Sequence, residues 1–154
     1  MIGNHHMASF LELLFLGLLA GLEVGVHYGV GAPPPSIPEA AQIVLRQVMV
    51  RRLRILAPIL FLPSFVLAGL IAMQKGHEVG MRLRYLCVAM LLVWAVIRVV
   101  RTVPVNSATL EWNPEAPPRN WRSLVETTER FHVVAVWTTI IAFLCSLAAI
   151  WGVG

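Results

Sequence analysis

The sequence predicts an all-α integral membrane protein, a four-helix bundle with an extended amphipathic approach to its second helix. Three observations carry that class. Of 154 residues, 58% are apolar and only 13% are charged, whereas a soluble domain carries about 25% charged residues. Four apolar runs, near residues 9–30, 54–73, 84–100 and 131–151, approach or exceed the roughly 20 residues a helix needs to cross hydrocarbon. Together they occupy most of the chain, so residues 1–154 read as one four-span domain with no room for a separate soluble unit.

The first run carries Gly17, Gly21, Gly25 and Gly29, a stripe of small residues along one helix face. Such stripes let helix backbones approach closely in lipid, within the bundle or between two copies in a homo-oligomer. Glu23 and His27 lie on the other side, about 200° and 240° around from Gly21 at about 100° per residue. The run and its small-residue tail imitate a signal peptide, but no Lys or Arg precedes it, so it reads as a retained helix. Asn4-His5-His6-Met7 supports no metal-site reading. Pro33-Pro34-Pro35 is expected to stop this helix, and Ser36-Ile37-Pro38-Glu39 reads as a capping box opening the next.

Residues 40–54 are amphipathic, with Arg46, Gln47, Arg51 and Arg54 on one side and Arg52 opposite. They should run on into the second span as one helix of roughly 35 residues and about 50 Å. That is longer than a hydrocarbon core of about 30 Å, so part projects beyond the membrane or lies along it. Pro58 and Pro63 should kink the embedded part. The second loop, Gln74-Lys75-Gly76-His77-Glu78, is short, and His77 reads as solvated. The third loop, residues 102–130, is the longest polar segment. Its Trp112 and Trp121 read either as walls of a ligand site or as interfacial anchors.

The net charge of +4 comes from arginines at the ends of apolar runs. A nucleic-acid partner would need a basic groove on a solvated fold, so it is excluded in favour of membrane lipid. Lys75, Arg82 and Arg84 flank the second loop, while Arg46, Arg51, Arg52, Arg54, Arg101, Arg119, Arg122 and Arg130 flank the other side. This imbalance leans the first and third loops toward the cytoplasm. The two cysteines, Cys87 and Cys145, fall inside spans and read as small buried residues.

Three polar pairs give the site signal. Glu23 and His27 lie near the end of the first span, Arg98 and Arg101 near the end of the third, and Glu129 and His132 at the start of the fourth. Antiparallel spans bring these ends to one depth. Charges inside spans are costly unless paired or facing a polar cavity, so three accounts compete. The first is plain ion pairing of the carboxylates with arginines. The second is a single transition-metal ion held by His27, His132 and a carboxylate, Glu23 or Glu129. The third is acid–base chemistry on a lipophilic substrate, with a histidine taking a proton and an arginine stabilising the oxyanion.

Arg101-Thr102-Val103-Pro104-Val105-Asn106, followed by Trp112, Trp121 and His132, resembles the anthrone oxygenase-like family of small four-span membrane proteins. The glycine-rich first span and the arginine-bearing approach to the second fit the same pattern. The sequence departs from it around the histidine, where Glu129 and Ala135 stand in place of the family's tryptophan and arginine. The resemblance implies oxygenation of an aromatic anthrone to a quinone without a cofactor. It implies His132 as base, Arg98 and Arg101 holding the oxyanion, and Asn106 orienting a carbonyl. Glu23, His27, Glu129, Trp112 and Trp121 would then line the substrate. The alternatives left open are a non-enzymatic membrane module that binds a lipophilic ligand or partner, and a metal-dependent redox protein using the same pocket.

Overall fold

The computed structural model describes residues 2–30, 36–74 and 77–151; the Pro33-Pro34-Pro35 stop and Lys75-Gly76 lie outside the described residues. Each apolar run forms a helix, as its hydropathy dictates. α1 (Ile2–Val24) passes into a π-helical turn at Gly25–Val30, and α2 covers Glu39–Ala72. α3 (Glu78–Ile97) continues through a second π-helical turn, Arg98–Thr102, into α4 (Val103–Thr109), and α5 covers Trp121–Trp151. Among the described residues there is no strand, and four helical stretches are long and apolar enough to cross a membrane.

The helices form a ring in which α1 touches α2 and α5, and α3 touches α2 and α5. Leu16 and Leu19 of α1, Leu91 and Trp94 of α3, and Ala135 and Ala142 of α5 meet in its core. Large apolar side chains such as Phe10, Leu62, Val96 and Leu144 point outward. That arrangement suits lipid, where apolar surface need not be hidden and backbone polar groups must be satisfied within helices. The glycine stripe divides. A Cβ on Gly17 would meet the Phe143 ring at 3.2 Å, so Gly17 gives α5 room, while Gly21, Gly25 and Gly29 have nothing within 4 Å among the described residues.

α2 is the long helix expected, 34 residues with Pro58 and Pro63 inside it. Its start differs from the capping-box expectation: Pro38 is the N-cap residue and no side chain caps the helix. Glu39 is engaged elsewhere, accepting a hydrogen bond from the Trp121 indole, and the Gln42 amide donates to the Ile37 carbonyl at 2.7 Å.

The third loop is shorter than the sequence suggests, because the helix carries on past Pro104 to Thr109 and α5 begins already at Trp121. Pro104 sits at the first turn of α4, just after the π turn, where a missing amide donor is tolerated. The approach to α2 packs against this connection. The Gln47 amide donates to the carbonyls of Thr109 at 3.0 Å and Trp112 at 2.9 Å, satisfying acceptors that a helix end leaves free. Trp112 and Trp121 close over Ile43.

The divided stripe gives opposite signs for two substitutions. Gly17→Leu should destabilise the bundle by about 1–3 kcal/mol through overpacking. Gly21→Ala, with open space around it, should be neutral or stabilising by up to about 1 kcal/mol. Thermal unfolding in detergent micelles measures both.

Candidate functional site

The carboxylate of Glu23, at the end of α1, is 1% exposed. It accepts a hydrogen bond from the Arg98 guanidinium at one oxygen. Its other oxygen lies 2.9 Å from His132 Nε2, within reach of the imidazole N–H. Three helices are thereby tied at one depth, the convergence that the antiparallel order predicts. Arg98 Nη2 also lies 3.3 Å from His132 Nε2.

One turn before His132, Glu129 extends the cluster. Its Oε2 lies 3.6 Å from His132 Nδ1 and 3.8 Å from His27 Nδ1, and Arg46 Nη1 donates to its Oε1 at 3.4 Å. Arg46 Nη2 in turn donates to Asn106 Oδ1 at 3.4 Å. Two carboxylates and two guanidiniums so alternate around two imidazoles, and with uncharged imidazoles their charges cancel. Burying this many charges costs several kcal/mol unless each has a partner, and removing one partner is worse than never having had the pair. His27, Glu129 and His132 also each bring one atom able to bind a metal ion to within 4.8 Å of the others.

Of the residues expected to form the site, Glu23, His27, Arg98, Asn106, Glu129 and His132 are together. Arg101 is not. It is exposed, and its guanidinium lies 4.9 Å from the centre of the Phe131 ring. Trp112 and Trp121 are buried against Ile43 as a separate cluster, so they brace the connection and line neither hollow described below. Arg46 is the member that the sequence reading left out. It was grouped only with Gln47, Arg51 and Arg54 on one side of the approach.

A cavity of about 410 Å³ lies between α2 and the α3–α4 helix. Its walls are apolar, with Leu22, Val50, Ala57, Phe61 and Trp94, and its polar end is formed by Glu23, Arg98, Thr102 and Asn106. Pro58, Leu62, Val99 and Val103 also line it while remaining exposed on the outer surface. The hollow therefore opens sideways between helices, toward lipid. Beside it, a cleft of about 50 Å³ shares Arg98, Thr102 and Asn106 and adds Arg46, Glu129 and His132. Three buried polar atoms of cavity-lining residues, Trp94 Nε1, Arg98 Nε and Thr102 Oγ1, have no hydrogen-bond partner among the described residues.

The opposite end of the bundle holds another buried acid unnoticed in the sequence. Glu12 is 4% exposed, with Cys87 Sγ at 3.9 Å from its carboxylate. A single acid between Leu11 and Leu13 was the available signal, since an acid within a span is costly unless it is partnered.

Because Glu23 and Arg98 compensate each other, Arg98→Leu should destabilise the protein by about 3–5 kcal/mol, and the double variant E23L/R98L should recover much of that loss. A thermal-unfolding double-mutant cycle in detergent reads the recovery directly. Comparison with protein-family models, characterised proteins and solved structures finds no match to this chain.

Proposed function

We propose that the protein is a membrane-embedded oxygenase acting on a lipophilic aromatic of the anthrone or quinone-like class. The observation that carries this reading is the apolar cavity whose inner end combines unpaired hydrogen-bond donors with a buried carboxylate that an imidazole backs from outside the cavity. Ligand sites are mostly apolar hollows of about 300–1,000 Å³ with a few placed polar groups. A flat aromatic entering from the bilayer would leave its ring against Phe61 and Trp94. Its oxygen would meet Arg98 and Thr102.

The chemistry follows from those groups. Glu23 faces the cavity and His132 stands 2.9 Å behind it, so the substrate proton passes to Glu23 with His132 as its support. This modifies the role the sequence suggested for His132, which lines the cleft and not the cavity. Arg98 and Asn106 hold the oxyanion as it develops, where a fixed charge in a water-poor site is most effective. The resulting electron-rich anion passes one electron to dioxygen, the radical pair joins into a peroxide anion, and Glu23 returns its proton to give the hydroperoxide. Loss of water from it leaves a carbonyl. One methylene and one dioxygen thus become one carbonyl and one water, with no other oxidant. The arginine-rich end that carries the site is assigned to the cytoplasmic face.

Oxygen uptake with a tricyclic anthrone in lipid nanodiscs, measured above the uncatalysed background, tests the reading. E23Q and H132A should each lose at least about 100-fold in rate. Ala57→Trp should weaken substrate binding by filling the cavity while leaving the Glu23–His132 contact in place. Wild-type protein that binds the aromatic but takes up no oxygen would instead be a lipophilic-ligand carrier, and full activity in E23Q would remove the carboxylate from the reaction.

A further inference from the structure

Glu129-Arg130-Phe131-His132 places a carboxylate and an imidazole one turn apart on α5, a spacing by which helix bundles present metal ligands to their interior. His27 reaches the same point from the π turn after α1. Three possible ligand atoms converge there. The 2.9 Å contact with the Glu23 carboxylate assigns the proton of a neutral His132 ring to Nε2, and that tautomer leaves a lone pair at Nδ1. That atom lies 3.6 Å from Glu129 Oε2, too far for a hydrogen bond. His27 Nδ1 lies 3.8 Å from the same oxygen and, though buried, has no hydrogen-bond partner among the described residues. A cation at the centre of these three atoms would engage all of them at once.

We propose that His27, Glu129 and His132 bind a single divalent first-row transition-metal ion. Two imidazoles and one carboxylate select iron, zinc or cobalt over magnesium and calcium, which prefer oxygen ligands throughout. Metal–nitrogen bonds of about 2.0–2.1 Å separate neighbouring ligand atoms by roughly 3.0–3.5 Å. Two of the three separations here are already within a few tenths of an ångström of that range, and none exceeds 4.8 Å. Glu23 on the far nitrogen of His132 supplies the carboxylate–histidine support that fixes the tautomer of a ligating ring.

Two cations oppose the ion. Arg46 is directed at Glu129 Oε1 and Arg98 at Glu23 Oε1, so each is engaged by a carboxylate oxygen that the ion would not use. The remaining positive charge selects an anionic fourth ligand. The cleft that shares Arg98, Thr102 and Asn106 with the cavity would admit hydroxide or the oxygen of an ionised substrate. This inference goes beyond the oxygenase reading, whose proton transfer runs through Glu23 and needs no ion.

The test uses the full chain in detergent, stripped with a chelator and titrated with cobalt(II), read by visible absorption and elemental analysis. The expected result is about one equivalent per chain, no competition from magnesium, and displacement by zinc(II). H27A, which removes a ring whose Nδ1 has no hydrogen-bond partner among the described residues, should lower affinity at least tenfold with the bundle intact by circular dichroism. E23Q should lower it by about 10–100-fold through the supporting contact. A variant lacking His5 and His6 should bind as wild type. Failure to bind, or binding that survives H27A but disappears with His5 and His6, overturns the proposal. Stripped protein that oxygenates the anthrone yet binds no cobalt sinks only the metal site. Stoichiometric cobalt without oxygen uptake sinks only the oxygenase.

Discussion

A carboxylate with 1% of its surface exposed, inside a helix that crosses a membrane, is the constraint on which the bundle depends. Left alone, Glu23 would cost several kcal/mol. Arg98 from the third span and His132 from the fourth offset that cost only while α1, α3 and α5 hold one relative depth. Sliding any of them by a helical turn, about 5.4 Å, would separate the partners. Apolar packing in lipid has no such discrimination, since leucine against leucine is equivalent to leucine against a lipid tail. The buried polar contact therefore fixes register, and apolar packing fills in around it.

Both π turns adjoin this contact: one starts two residues after Glu23 and the other starts at Arg98 itself. A π turn spaces residues by roughly 80° around the axis, against about 100° in an α-helix. Residues four apart then stay within roughly 40° of each other, while residues three apart fall roughly 120° short of a full turn. His27, four residues after Glu23, keeps to the face of the site. Arg101, three residues after Arg98, turns away and rests over Phe131. Ideal helical spacing placed both arginines together, and the widened turn separates them. Nothing in Arg98-Val99-Val100-Arg101 announces such a turn except the proline that follows it, which helix rules read as a stop.

That proline also explains which parts of the fold were legible. The spans were, because hydropathy over a run of that length has few alternative solutions, and so was the fused 34-residue α2. The connection after the third span was not, since Pro104, Asn106 and Pro114 resemble a loop while the first two stand in a continuing helix. The polar residues of the α2 approach were read only as one side of an amphipathic helix, and Arg46 and Gln47 in fact make their bonds to α5, α4 and the chain just beyond α4. An amphipathic pattern reports that one side of a helix is polar. Whether that side meets water or the polar interior of another segment depends on tertiary contacts that no local pattern encodes. Trp112 and Trp121 were ambiguous for the same reason, their partner Ile43 lying some 70 residues or more away.

The way α2 is attached also accounts for the cavity. Near its start α2 is pinned to the α4–α5 connection by Gln47, Arg46, Ile43 and the Glu39–Trp121 bond. Deeper in the bundle its Phe61 ring stacks on Trp94 of α3, centres 4.7 Å apart. Between these two attachments Ala57 and Pro58, positions with small side chains, face the α3–α4 helix, and the helices stand apart there without losing their anchorage. A hollow in lipid carries little penalty if lipid or an apolar molecule can enter it, unlike a void sealed within a soluble core. The separation of α2 from α3 is thus stable because the gap opens to the bilayer. The same opening brings any apolar occupant to Glu23 and Arg98, the two groups that hold the bundle in register.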